Sequence, residues 1–315
     1  MTQQTINWDD LPQINFSECP HWDSFVTEEE PVDPYADLPE MSPADLADGD
    51  MIMMLGRGKF KQIPISKLIR TLDGGAYSHS AMVTIQNGEP MIWDHSTLNM
   101  TLHPVSYEQG VGEHWWAHVY RFEKHGSALG SDRYPRQPIV DVLGLHEGNP
   151  YDMWLLVFSG ITAVLARAPE DPLLRACLRW VLGQLVRALK WLLDHIDIRN
   201  DMLVCTGVAG CAFWEAVNEV NHDYALEVDI ERRRNQVSPI SDPEWDQVIA
   251  DMREQLGRIW PDLPSALAAY ENLINAGNSA WVEVGSSLLP VNLVSPSDFE
   301  FSRSFKRVAK LPIPE

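Results

Sequence analysis

Short apolar runs separated by turn residues mark the first part of the chain's body. "MIMML" (51–55) stops at Gly56, with Gly58 close behind. "SAMVTI" (80–85) runs into "QNGEP" and then "MIWDHS" (91–96), and "HWWAHVYRF" spans 114–122. Runs of this length bounded by Gly, Asn and Pro read as strands. Asn-Gly between two of them signals a tight hairpin, because both central residues of a type I′ turn need positive φ. The pattern therefore predicts that 80–85 pairs with 91–96 in a small antiparallel sheet.

Beyond residue 150 the period becomes helical. "MWLLVFSGITAVLA" (153–166) is fourteen residues without a charge. Asp171 and Pro172 then supply an N-cap and a first-turn proline for a predicted helix over 172–193. On that helix Arg175, Arg179, Arg187 and Lys190 share about one third of the surface at about 100° per residue, opposite Leu, Val, Ala and Cys. Trp180 and Trp191 fall near the boundary between the two faces. Neither apolar stretch reaches the roughly 20 residues that span a bilayer. A buried helix is predicted for 205–220, one or two helices for 244–275 with breaks at Pro261 and Pro264, and a late strand for 279–284. This distribution is that of an α+β fold.

Composition narrows the picture. With 315 residues, 45% hydrophobic content and twelve tryptophans, the chain can bury a large core. The net charge of −21 argues against nucleic acid as a partner. Thirteen of the acidic residues and no Lys or Arg lie in residues 1–50. Residues 1–45 accordingly read as an acidic leader, and 46–315 as the body. Four cysteines (Cys19, Cys177, Cys205, Cys211) make neither a disulfide framework nor a zinc spacing, so no metal and no cofactor is expected. The first ten residues lack the basic start and apolar stretch of a signal peptide. The expectation is a protein cytoplasmic in its producer or exported by a route that needs no signal.

Three polar residues interrupt apolar runs in a way that suggests chemistry. His79 opens one arm of the hairpin, Asp94 lies on the other, and Cys205 sits where an apolar run turns into a helix. A thiol attacks carbonyl carbon as thiolate. An imidazole can take its proton and pass it to the leaving group, and a third group fixes the ring's tautomer. Backbone N–H groups at a helix start favour the thiolate and a developing oxyanion. Each residue also has a structural reading as ordinary core. His95 competes with Asp94 for the orienting role, and Cys211 lies on the same helix as Cys205.

The order of these pieces resembles that of the circularly permuted papain-fold hydrolases, including the permuted NlpC-type enzymes and the lecithin:retinol acyltransferase-like group. "DGDMIMM" (48–54) resembles their opening strand. "YSHSAMVT" (77–84) resembles the strand carrying the base, and "PMIWDHS" (90–96) the strand carrying the third polar residue. "NPYDMW" (149–154) is similar to the segment before the nucleophile, and "MLVCTGVAGCAFWEAV" (202–217) to the segment bearing it. "LVSPSDFEFSRSFKRV" (293–308) is similar to the C-terminal motif. The resemblance covers about half the chain. It implies Cys205 as nucleophile, His79 as base and Asp94 as orienting acid. The sequence departs from the pattern at Gly207, where the family has Glu, and in a long apolar helical insertion, about 154–196.

The resemblance implies a cysteine hydrolase or acyltransferase that forms an acyl thioester, with membrane lipid as the expected substrate. The insertion would then offer Arg175, Arg179, Trp180, Arg187, Lys190 and Trp191 to a lipid surface. A cell-wall peptide amidase or endopeptidase is the alternative, and a catalytically dead membrane- or partner-binding module is a third reading. An antibacterial toxin, restrained in its producer by a cognate inhibitor protein, is a setting that fits the missing signal.

Overall fold

A computed structural model of the chain describes residues 13–27, 31–57, 62–94, 100–105, 114–147, 162, 164–195, 205–216, 223–235, 240–277, 280–286 and 288–313. For Asp94 and Cys205 it describes the backbone and not the side chain. The fold is α+β, built on one mostly antiparallel sheet. Its strands are β1 (Met51–Gly56), β2 (His79–Gln86), β3 (Glu89–Asp94), β4 (Thr101–Pro104), β5 (His114–Lys124), β6 (Ser127–Ala128) and β9 (Phe305–Lys310). They run in the order β4-β3-β2-β1-β5, with β6 and β9 both pairing with β5. A separate two-stranded ribbon joins β7 (Glu227–Asp229) to β8 (Trp281–Glu283).

The central strand explains the first apolar run. Met51, Met53 and Leu55 face one side and Ile52 and Met54 the other, and all are buried. A strand covered on both faces reads as a continuous apolar run rather than an alternating one. Each such side chain contributes roughly 1.5–3 kcal/mol on burial. The hairpin forms as expected: Gln86 pairs with Glu89, and Asn87 and Gly88 adopt φ of 53° and 82°. These are the two positive values a type I′ turn requires.

Helices cover the Met51–Met53–Met82 face of the sheet. They are α2 (Ile65–Asp73), α3 (Gln137–Leu145), α4 (Pro172–His195), α5 (Cys205–Glu215), α6 (Ile230–Asn235), α7 (Pro243–Ile259) and α8 (Leu263–Ala276), with the short α1 (Trp22–Val26) and α9 (Pro296–Glu300) at the two ends. The Asp171 carboxylate accepts from Leu173 N at 2.8 Å and so caps α4. The break between α7 and α8 falls at Pro261 as expected, and Pro264 sits in the first turn of α8, where its missing N–H costs nothing. Most of the uncharged run 153–166 lies outside the described residues.

The opposite face of the sheet is covered by Leu46, Val105 and Leu311. Met41 of the acidic leader packs against this cluster. Met41 N donates to Lys310 O and Lys310 N to Pro39 O, both at 2.9 Å, which continues the sheet past β9. Phe16 and Trp22 pack on Trp180 of α4, with ring centroids 5.8 and 6.4 Å away. Cys19 Sγ lies 3.5 Å from Cys177 Sγ. A buried chain of hydrogen bonds ends on the leader as well. Arg307 Nε donates to Tyr120 OH at 2.7 Å, and Tyr120 OH to Tyr77 OH at 3.0 Å. Tyr77 OH meets His118 Nδ1 at 2.8 Å, and His118 Nε2 meets Asp33 at 3.2 Å. Arginine can only donate, so the whole chain runs toward Asp33 and assigns the proton of neutral His118 to Nε2. No helix among the described residues is long and apolar enough to cross a membrane.

Candidate active site

The three expected site residues occupy element ends. His79 is the first residue of β2, Asp94 the last of β3 and Cys205 the first of α5. Helix α5 packs against β2, so the element that opens with the thiol lies on the strand that opens with the imidazole. Asp94 pairs with Thr101 of β4 and follows Trp93, which pairs with Met82. In a pleat of period two, position 94 has the parity of Ile92. His79 pairs with Met54, and Ile92 and Met54 belong to the same face. Positions 79 and 94 therefore share parity and stand diagonally across the hairpin. The alternative orienting residue, His95, lies outside the described residues.

The faces add a constraint. The apolar residues of α5, among them Val208, Ala209, Ala212 and Phe213, join the cluster on the Met82 face, while the parity of His79 is that of Met54. The alternation breaks at the start of β2. Tyr77 has the parity of His79, yet it is fully buried in the cluster on the side of α5.

One member of this region was not among the expected residues. His114, at the start of β5, stacks on His79 with ring centroids 5.9 Å apart and planes at 13°. The two histidines sit on strands separated by β1, but His114 pairs with Gly56. Glycine has no side chain to stand between the rings. "HWWAH" marked a strand in the sequence, but nothing local tied its first histidine to His79.

The C-terminal motif positions this end of the sheet. Ser297 N and Oγ both donate to the Asp73 carboxylate at 2.7 Å, which anchors α9 to α2. Asp298, fully buried, accepts from Arg233 Nε at 2.6 Å and also from Arg233 Nη2. Glu300 accepts from Ala76 N at 2.7 Å and from Tyr35 OH at 2.5 Å. Burial raises the Glu300 pKa against the pull of these donors. Ala76 is three residues before His79, so the motif ties the loop that leads into β2 to α2, α6 and the leader.

The remaining three cysteines, Cys19, Cys177 and Cys211, are free, buried thiols. Burial raises the pKa of each, and for Cys211 the pKa is pushed up to about 12 by burial and then by neighbouring Glu215.

The residues expected to meet lipid are held largely within the molecule. Arg175 pairs with Asp242 at 2.9 Å, and Arg179 with Glu244 at 2.6 Å. Trp180 is packed by the leader, and Trp191 stacks on His195 at 4.4 Å. Arg187 and Lys190 are exposed. The opposite face of α4, from Cys177 to Leu192, is core.

No family model matches the chain, and no curated protein matches it. Among solved structures it is similar to the metalloprotein YiiX from Escherichia coli O157:H7, described as DUF1105. The TM-score is 0.41 and the identity 16%, over 88% of this chain and 99% of that one.

Proposed function

We propose that the chain is a cysteine hydrolase or acyltransferase of the permuted papain-like type, acting on an acyl ester or amide. The observation that supports it is the packing of α5, which opens at Cys205, against β2, which opens at His79. In the reaction, His79 takes the Cys205 proton as Sγ bonds to the acyl carbon. The helix start stabilises the oxyanion. The ring then gives that proton to the departing alcohol or amine, leaving an acyl thioester. Water or a second acceptor, deprotonated by His79, releases the acyl group and restores the thiol. Asp94 holds the ring's tautomer. This chemistry needs the ring and the sulfur to meet at the end of β2, where the alternation breaks at Tyr77.

Membrane lipid is the first substrate class, through the exposed cations of α4. The ion pairs of Arg175 and Arg179 and the leader packed on Trp180 favour a second reading, an amidase acting on cell-wall peptide. Incubation with phospholipid vesicles and, separately, with purified cell wall distinguishes them. Fatty acid release supports the first, and new amines the second. Loss of either in Cys205→Ala assigns the activity to this site, and absence of both removes the proposal.

A further inference from the structure

We propose that His146, Cys211 and Glu215 form a binding site for a divalent transition metal, with zinc the best match to the donor set. The imidazole nitrogen, thiol sulfur and carboxylate oxygen all lie within 4.8 Å of one another. His146 Nε2 is 3.8 Å from Glu215 Oε2. Tetrahedral zinc with bonds of about 2.0–2.3 Å holds its donors about 3.3–3.8 Å apart. The three groups therefore need to close by only about 1 Å.

The site is assembled from two packed helices. Cys211 and Glu215 are four residues apart on α5, a spacing that puts both on one face. His146 caps the C-terminal end of α3, which packs against α5. Cys211 is buried and His146 mostly so, whereas the Glu215 side chain is 46% exposed. A tetrahedral ion held by these three groups would take its fourth ligand from outside them. One sulfur, one nitrogen and one carboxylate oxygen suit zinc and its neighbours in the first transition series. Calcium and magnesium, which take oxygen ligands, are excluded by the same chemistry. Binding replaces the thiol proton: Cys211–SH and M²⁺ give the thiolate complex and a released H⁺. The ligands come from separate elements, and this is why the spacing of the cysteines gave no zinc pattern.

The site differs from the candidate active site at the other end of α5. Cys205 is six residues upstream of Cys211, about 9 Å along the helix at 1.5 Å per residue. A metal here would clamp the second half of α5 to α3.

The test uses the full chain stripped of metal and titrated with Co²⁺, a spectroscopic stand-in for zinc. The expected result is a near-ultraviolet thiolate-to-cobalt band that saturates at about one equivalent per chain and is abolished by competing Zn²⁺. Cys211→Ser should lose the band, while Cys205→Ser keeps it. Glu215→Gln and His146→Gln should weaken binding at least as much as the roughly 10- to 100-fold lost with an outer-shell partner. Glu215 is exposed enough for its variant to keep the fold, which circular dichroism would verify. The proposal is overturned if no thiolate band forms. A band that survives in Cys211→Ser, or unchanged binding in Glu215→Gln, also overturns it.

Discussion

Replacing Asp298 with asparagine removes one charge from a fully buried pair and leaves the Arg233 guanidinium uncompensated. In the wild type, Asp298 accepts from Arg233 Nε, from Arg233 Nη2, from Ser295 N at 2.8 Å and from Ser295 Oγ at 3.1 Å. Arg233 also donates to Tyr270 OH at 2.7 Å, so α6, α8 and α9 meet at this one pair. Its side chain is 8% exposed and that of Asp298 0%. Hydrogen bonds to charged groups contribute about 1.5–3 kcal/mol each, and breaking a buried pair from one side costs about 3–5 kcal/mol. The substituted amide would further turn an N–H₂ toward groups that donate. The expected loss is therefore about 3–5 kcal/mol in urea unfolding followed by tryptophan fluorescence. Arg233→Met should cost less than Asp298→Asn, because Arg232 Nη2 stays 3.5 Å from Asp298 Oδ1 and still compensates the carboxylate. The double variant should cost clearly less than the sum, because the second change no longer strands a charge. An Asp298→Asn protein within about 0.5 kcal/mol of wild type would refute the reasoning, as would additive losses.

Further outcomes follow from other contacts. Alkylation at neutral pH should modify Cys205 first, with Cys19, Cys177 and Cys211 protected until urea is added, since burial raises all three thiols; equal labelling of Cys211 in the folded protein would contradict this. Burial holds the His118 pKa below its ordinary 6.5 against the opposing pull of Asp33. The unfolded chain therefore binds the extra proton first as pH falls. The stability from neutral His118 is complete above about pH 6.5 and is lost as pH drops from there toward the folded pKa. His118→Gln should flatten the stability–pH slope in that window, and an unchanged slope would clear His118 of the effect. Because Arg175 and Arg179 are paired within the molecule, electrostatic binding to anionic vesicles should rest on Arg187 and Lys190. Changing both to Gln should remove about 2 kcal/mol at low salt, roughly 30-fold. If the wild type stays in the supernatant on vesicle sedimentation, the lipid reading fails.

Local patterns were legible and long-range meetings were not. The Asn-Gly turn, the Asp171 cap and the proline break near 261 each act within a few residues, and each appears where the sequence put it. Strand β9 was not read as a strand. It carries Lys306, Arg307 and Lys310, the charges suited to an edge, and its pairing with β5 spans most of the chain. The same limit applies to the candidate site. His79, Asp94 and Cys205 could be named because each ends a local apolar run. That His114 reaches His79 over Gly56, and that His146 reaches Cys211 and Glu215, depends on packing between distant segments. The basic stripe on α4 was visible, but its counter-ions Asp242 and Glu244 lie at the start of α7 and could not be assigned from one helix. The leader showed its charge in the sequence, whereas its hold on His118 and Glu300 rests on two side chains, Asp33 and Tyr35.

The central claim is that Cys205 carries an acyl group during turnover. Brief reaction of the folded chain with an activated acyl ester, an acid quench and peptide mass spectrometry would trap that state. The expected result is an acyl adduct on the peptide containing Cys205, absent in Cys205→Ala and much slower to form in His79→Ala. No adduct on the wild type, or one on another residue that persists in Cys205→Ala, would contradict it.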